Sequence, residues 1–425
     1  MTHLFTPLTF PCGQSIPNRI AKGAMEENMA DQASGLGQVP GEQLVNLYQA
    51  WAEGGAGMLV TGNVMVDARA MTGPGAVVLR RGTLDDPEVR ARFERWAQAG
   101  QNGGAKMVMQ ISHPGRQLYA AQGQEAVSAS ESKLDMGSDA INKLFASARA
   151  MTEDEIRGLI RHFGETALAA KACGFDGVQV HAAHGYLLAQ FLSPLTNRRD
   201  DGWGGPLENR ARLLLEIVRT IRDRVGDDFI VGVKLNSADF QKGGFDVADA
   251  TQVVDWLGAD AVDFVEISGG NYESSAMMGE STDGRVSQST VKREAFFLDF
   301  AAQIATAATM PLMVTGGITQ RATADTVLGT AGIDLVGMAR ALIITPDLPA
   351  RWQAGEDMTG PVQTVSWKMP ALRSLANMAI AKANLRRMSR GKPPKRKVNA
   401  VAASLVQQKN QAMQTKRYKA WLEEE

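Results

Sequence analysis

Two imidazoles and a phenol crowd one short stretch of the chain, the run VHAAHGYLLAQFLSPLTNRRDDGWGGPLENR from Val180 to Arg210, which contains His181, His184 and Tyr186. Two imidazole N–H donors converging on one oxygen can hold negative charge that grows there, and preorganised donors of this kind contribute a few kcal/mol in a transition state. The same His-x-x-His spacing is also half of a metal site, with His113 or Glu266 available as a third ligand. A tyrosine beside them equally serves packing, its ring buried and its hydroxyl satisfied locally.

A second constellation lies late in the chain. Residues 314–318 read VTGGI and residues 336–342 read VGMARAL, two apolar strands running into Gly316 and Gly317 and into Ala339 and Arg340. Backbone N–H groups at such strand ends form a preorganised anion site, and Arg340 adds a planar charged fork suited to phosphate.

These groups need strands beneath them. Short apolar runs recur near Ile20 and at residues 58–61, 107–111, 177–180, 230–235, 264–267, 312–315 and 335–338. Between most of them, residues 42–53, 87–102, 153–173, 208–224, 247–257, 296–305 and 322–328 place apolar side chains at helical spacing. Thr152 with Glu155 three residues on predicts a capping box for the third helix. This alternation predicts an α/β fold, a closed (β/α)8 TIM barrel over residues 1–360, with the chemistry at the carboxyl ends of the strands. An open doubly wound sheet is the rival, but its glycine fingerprint belongs after the first strand, not late in the chain. Two long connections, 112–151 and 269–294, read as a lid and part of a substrate wall at that mouth. Tyr119, Trp203, Tyr272 and Arg285 are further candidates for the pocket wall.

The 180–210 run resembles the signature of the old yellow enzyme family of FMN-dependent oxidoreductases, in its larger branch that includes the dienoyl-CoA reductases. The likeness rests on the histidine pair, Tyr186, the FLSP turn at Phe191 to Pro194, Asn197, Arg198, and GG followed by ENR at Glu208 to Arg210. It extends more faintly from Asn18 to about Trp352. The resemblance implies FMN as cofactor and NADH or NADPH as electron donor. It implies that the anion site of Gly316, Gly317, Ala339 and Arg340 takes the FMN phosphate, and that Tyr186 protonates the α-carbon of a reduced alkene. Gln110, in QISHPGRQ, is similar to the family's Gln-x-x-His-x-Gly-Arg, and its amide suits the pyrimidine edge of a flavin. Phe191, Ser193, Asn197, Arg198, Glu208 and Arg210 read as loop bracing.

Two flavin-facing positions depart from that pattern. After the first strand the chain reads NRIAKGAME, so Ala24, Met25 and Glu26 stand where relatives carry a small residue or proline and then Thr or Cys. An ionised Glu26 would oppose negative charge on reduced flavin and depress its potential; a buried, protonated one could donate a hydrogen bond. Lys234 stands where the family has an arginine, keeping the charge without the planar fork. Asn63, ending the second strand, is a further ring-contact candidate.

Composition narrows the remaining classes. Cys12 and Cys173 are the only cysteines and lack metal-ligand spacing, so neither a disulfide framework nor the iron–sulfur cluster of some family members is expected. No apolar run is long enough to span a bilayer, and a cytoplasmic protein acting on a small-molecule substrate is the expectation. Charge is lopsided: residues 361–425 hold 14 Lys and Arg against 3 acids, +11, which leaves −12 for residues 1–360 of a chain with net charge −1. This basic, helical C-terminal extension, broken by GKPPKRK at residues 391–397, carries no known nucleic-acid motif, so nucleic acid is a poor fit. Packing on the acidic body or on a neighbouring subunit of a homo-oligomer fits better. The reading is an FMN-dependent reductase of alkenes conjugated to a carbonyl or nitro group. Flavin-dependent oxidation of an amine or saturated substrate, a metal-dependent barrel lyase or hydrolase, and a binding scaffold are the alternatives.

Overall fold

Eight parallel strands close into a barrel in the computed structural model, which describes residues 3–268, 298–367 and 369–424. In chain order they are β1 (Ile20–Lys22), β2 (Met58–Val60), β3 (Lys106–Ser112), β4 (Gly177–Ala182), β5 (Ile230–Asn236), β6 (Phe264–Ser268), β7 (Leu312–Thr315) and β8 (Leu335–Met338). Each pairs with the next, and β8 closes on β1 with Val336 opposite Ile20. Strands covered on both faces need nearly continuous apolar runs, which is why all eight were legible.

The barrel interior is filled rather than hollow. Ala21, Met58, Val60, Val108, Ile230, Phe264, Met313 and Leu335 form one cluster there, joined by Leu8, Phe10 and Ile16. The last three come from an antiparallel hairpin, Leu8–Thr9 with Ser15–Ile16, that plugs the amino-terminal end of the barrel. It is tied there by the Cys12 N–H donating to Asp263 Oδ1 (2.7 Å) and by the Gln14 amide donating to Asp228 O (2.7 Å). Gly232 makes room for this filling, since a Cβ there would lie 2.2 Å from the Phe264 ring. With the bottom sealed, only the carboxyl ends of the strands are open to a ligand.

Helices α1 (Glu42–Glu53), α2 (Pro87–Gln101), α3 (Glu153–Ala172), α4 (Leu207–Val225), α5 (Val247–Ala259) and α6 (Arg321–Leu328) surround the strands. The capping box is present on α3: the Glu155 N–H donates to Thr152 Oγ1 (3.3 Å) and the Thr152 N–H to the Glu155 carboxylate (2.8 Å). The long connection after β3 is not bare loop. It contains a parallel pair of short strands, Ala126–Ser128 with Ala148–Ala150. The connection 269–294, with Tyr272 and Arg285, lies outside the described residues.

Two more helices, α7 (Pro370–Met388) and α8 (Ala400–Glu424), make up the basic extension. Both pack on the chain's own barrel, α7 against α1 and the short helix Arg340–Ile344. Tyr418 of α8 is buried, with Trp421 and Leu422 beside it, against Met65, Ala68, Met71, Ala76 and Val78. Among the described residues no helix is long and apolar enough to cross a membrane.

Candidate active site

Parallel pairing fixes which side chains share a layer at the barrel mouth. Gln179 stands opposite Gln110, His181 opposite Lys234, and Lys234 opposite Glu266. Because side chains alternate along a strand, Gln179 and His181 emerge on the same face of β4. Past β4 the chain turns sharply, and His184 takes φ 59°, a left-handed conformation uncommon outside glycine. Its neighbours enforce that conformation. The His184 N–H donates to Asn236 Oδ1 (3.1 Å), its carbonyl accepts from Gln117 Nε2 (2.8 Å), and its Nε2 lies 2.7 Å from Ser268 Oγ. The following helix Leu187–Leu192 is anchored by the Leu187 N–H donating to His113 O (3.0 Å).

The three chemically able groups therefore meet. The rings of His181 and His184 lie 5.1 Å apart at 76°, and Tyr186 stands edge-on to His181 at 4.8 Å and 90°. The Ala183 N–H donates to His181 Nδ1 (3.2 Å), which puts the proton of the neutral ring on Nε2. Burial, then the neighbouring His184 and Lys234, hold His181 well below the ordinary histidine range; burial and Lys234 do the same to His184. Both rings are thus neutral at physiological pH.

Below them runs a buried polar chain across four adjacent strands. The Gln110 amide donates to Gln179 Oε1 (2.7 Å), the Gln179 amide donates to Glu266 Oε2 (2.8 Å), and Lys234 Nζ lies 2.8 Å from Glu266 Oε1. The Lys234 charge, read from sequence as a flavin contact, therefore has a carboxylate partner within the protein.

The loop after β1 is held from inside the wall. Lys22, fully buried, pairs with Glu27 (3.2 Å), donates to Tyr48 Oη (3.1 Å) and Val60 O (2.8 Å), and lies 4.4 Å from the centre of the Trp51 ring. Tyr48 in turn donates to Glu27 (2.7 Å) and accepts from the Gly62 N–H (3.0 Å). Gly62 must be glycine here, because a Cβ would lie 2.0 Å from Glu27 Oε2 and 2.2 Å from Met25 O. These ties bring Met25 and Glu26 alongside Gly62 and Asn63 after β2, while Ala24 packs against the barrel interior. Glu26 Oε1 and Asn63 Oδ1 are buried without a hydrogen-bond partner. Burial, then the Glu26 charge, push the Tyr119 phenol up to about 12.

At the ends of β7 and β8, Thr315 pairs with Gly337, so the Gly316–Gly317 turn sits beside Ala339 and Arg340. Gly316 has φ 148° and Gly317 φ 67°, and nothing lies within 4 Å of a Cβ built on Gly316. The turn is exposed, with a buried and unpartnered Thr315 Oγ1 behind it. A glycine-only turn with open space, an orphaned hydroxyl and an arginine at the next strand's end fit a phosphate. Together with the unpartnered Asn63 Oδ1 at the mouth, they fit FMN.

Several positioning residues gave no motif in the sequence. Gln179, Ser268 and Asn236 look like ordinary strand residues until the register places them. Lys22 with Glu27 was detectable, as a charge closing a buried strand with a carboxylate five residues on. Among the expected bracing residues, Asn197 donates to Phe191 O (2.8 Å) and Trp203 O (2.7 Å), Arg198 to Glu131 O (2.6 Å), and Arg210 to Leu192 O and Asp249 (3.2 Å).

Comparison with known proteins places the chain among flavin oxidoreductases. The family model described as NADH:flavin oxidoreductase / NADH oxidase family matches residues 3–358. The chain is 37% identical over 361 residues to a protein named NADH-dependent flavin oxidoreductase iliE from Neonectria sp. (strain DH2), covering 82% of this chain and 46% of that one. It is 36% identical over 368 residues to NADH-dependent flavin oxidoreductase iccE from Talaromyces variabilis, covering 82% and 85%. The chain thus spans under half the length of the first and most of the second. Among solved structures, morphinone reductase in complex with tetrahydroNAD superposes with a TM-score of 0.68 at 25% identity, covering 85% of this chain and 93% of that one.

Proposed function

Because the chain belongs to the NADH:flavin oxidoreductase / NADH oxidase family, we propose that it is an FMN-dependent enzyme that uses NADH to reduce an alkene conjugated to a carbonyl or nitro group. Bound at the mouth, FMN would supply the two-electron redox chemistry between nicotinamide and alkene. Gly316, Gly317 and Ala339 would hold its phosphate through backbone N–H groups, with Arg340 adding charge. Gln110, Lys234, Asn63 and the Ala24–Met25–Glu26 segment would face its ring.

The chain's own residues then handle the substrate oxygen and a proton. His181 offers the Nε2 proton as a donor to the carbonyl or nitro oxygen, and its neutrality spares the site a second buried positive charge beside Lys234. His184 stands next to it with its Nε2 on Ser268 Oγ, so the serine fixes the orientation of that ring beside the oxygen site. Tyr186, edge-on to His181, delivers the proton to the α-carbon from its hydroxyl. Donors fixed before the substrate arrives need no reorganisation as charge grows.

The observation that carries this reading is the meeting of two neutral imidazoles and a tyrosine at one strand end of a barrel sealed at its other end. Product analysis tests it. Incubated anaerobically with NADH and a cyclic enone, the purified protein should yield the saturated ketone in proportion to NADH consumed; consumption of NADH only in the presence of oxygen, with the enone recovered unchanged, would refute it.

A further inference from the structure

The basic extension reaches the mouth of the barrel through side chains of both its helices. Lys382, on α7, is 6% exposed, and its ammonium donates to Asn28 Oδ1 in the loop that follows β1. Asn28 adopts φ 51°, a left-handed conformation, so this corner of the loop is held by its contacts rather than by local preference. The second helix of the extension grips the same residue: Gln414 Nε2 donates to Asn28 O (2.8 Å), and Gln32 Nε2 donates to Gln414 O (3.2 Å). Two residues before Asn28 stands Glu26.

Charge balance in this corner assigns the partners. Two carboxylates, Glu26 and Glu27, sit in sequence between two buried lysines, one from β1 and one from the extension. Glu27 is satisfied from the barrel side, by Lys22 at 3.2 Å and the Tyr48 hydroxyl at 2.7 Å. Glu26 has no such tie, and its Oε1 is buried without a hydrogen bond. Burial draws the Lys382 amine down from the ordinary lysine range, and the largest effect opposing this is the charge of Glu26. A buried ammonium and a half-buried carboxylate with one oxygen unmet are each costly alone and offset one another when near.

We propose that Lys382 is a positioning residue of the flavin site: it offsets the charge of Glu26, so that a carboxylate can stand at the ring-facing segment without penalising a reduced, negatively charged flavin. The extension is then part of the redox site and not a mere buttress. This rests on the reading of the mouth as an FMN site. It also accounts for Glu26 occupying a position where a neutral side chain would raise no electrostatic problem, since the compensating cation comes from a segment some 350 residues later in the sequence.

The test is a redox titration of FMN-loaded protein against reference dyes, on the wild type and the variants Lys382→Met, Lys382→Arg, Glu26→Gln and the double variant Glu26→Gln/Lys382→Met. Loss of the lysine should disfavour the reduced flavin at least tenfold, a fall of about 30 mV for a two-electron couple. Lys382→Arg should stay near the wild type, and Glu26→Gln in the Lys382→Met background should recover most of the loss. Lys382→Gln, which keeps a donor for Asn28, replaces Lys382→Met if the latter does not fold. Flavin-loaded lysine variants with an unchanged potential, or a loss that Glu26→Gln does not relieve, would overturn the proposal while leaving the flavin reading intact. A wild type that takes up no FMN would sink both.

Discussion

Lys234 Nζ lies 2.8 Å from Glu266 Oε1, and the other oxygen of that carboxylate accepts from Gln179, which holds Gln110. One carboxylate thus links a charged residue and a glutamine amide, both expected to face the flavin, across four neighbouring strands. The polar layer beneath the site is a single unit whose members fix one another.

Replacing Glu266 therefore should cost more than a typical substitution. Glu266→Ala leaves the Lys234 ammonium buried without its partner, and such losses run to about 3–5 kcal/mol. Urea denaturation should show a fall of that order, with Glu266→Gln intermediate; a loss below about 1 kcal/mol would show that the pair is not coupled.

Acid should destabilise the fold through its histidines. His181 and His184 are held well below the ordinary range by burial, and burial lowers His113 to about 4. In the unfolded chain these rings take up protons near pH 6.5, so below that pH the unfolded state binds more protons than the folded one. Stability is fully present above about 6.5 and falls by about 1.4 kcal/mol per pH unit per ring as pH drops, for His113 until about pH 4. Melting temperatures between pH 7.5 and 5.5 should show this decline, lessened in His113→Gln; a flat profile would contradict it.

Tyr186→Phe separates the two half-reactions. The ring keeps its edge-on contact with His181 while the proton donor is lost, so reduction of the flavin by NADH should be unchanged. Re-oxidation by an enone should slow by about 10²–10⁴, the usual weight of general acid catalysis. Rapid-mixing absorbance distinguishes the steps, and equal slowing of both would reassign Tyr186 to packing.

Gly316→Ala should weaken FMN binding rather than the fold. At φ 148° an alanine is strained by about 1–3 kcal/mol, yet the surrounding space is open, so the turn distorts locally. Fluorescence titration should show a dissociation constant raised about tenfold or more with the urea midpoint nearly kept. Unaltered affinity would remove this turn from the phosphate site.

The legible parts of this protein were those written in contiguous sequence. Apolar runs gave all eight barrel strands because parallel strands are buried on both faces, and residues such as Thr152 and Glu155 marked a helix start within four positions. The 180–210 run announced the histidine pair for the same reason. What pairs with what was not legible: Glu266 with Lys234, Ser268 with His184, and Lys382 with the loop at Asn28 depend on strand register and on how the extension folds back. Sequence could say that Lys234 was an odd charge for a barrel wall, but not that a carboxylate on the next strand answers it.

The central claim is that His181 at the end of β4 holds the oxygen of the substrate while FMN sits at the mouth, and one rapid-mixing experiment tests it most directly. Wild type and His181→Ala, both FMN-loaded, would be bleached anaerobically with NADH and then mixed with a cyclic enone. Bleaching should be equal in the two proteins and flavin absorbance should recover rapidly in the wild type, with recovery slowed about 10²–10³ in the variant, the scale of losing one preorganised donor. Recovery at the same rate in both proteins, or none in the wild type, would contradict it.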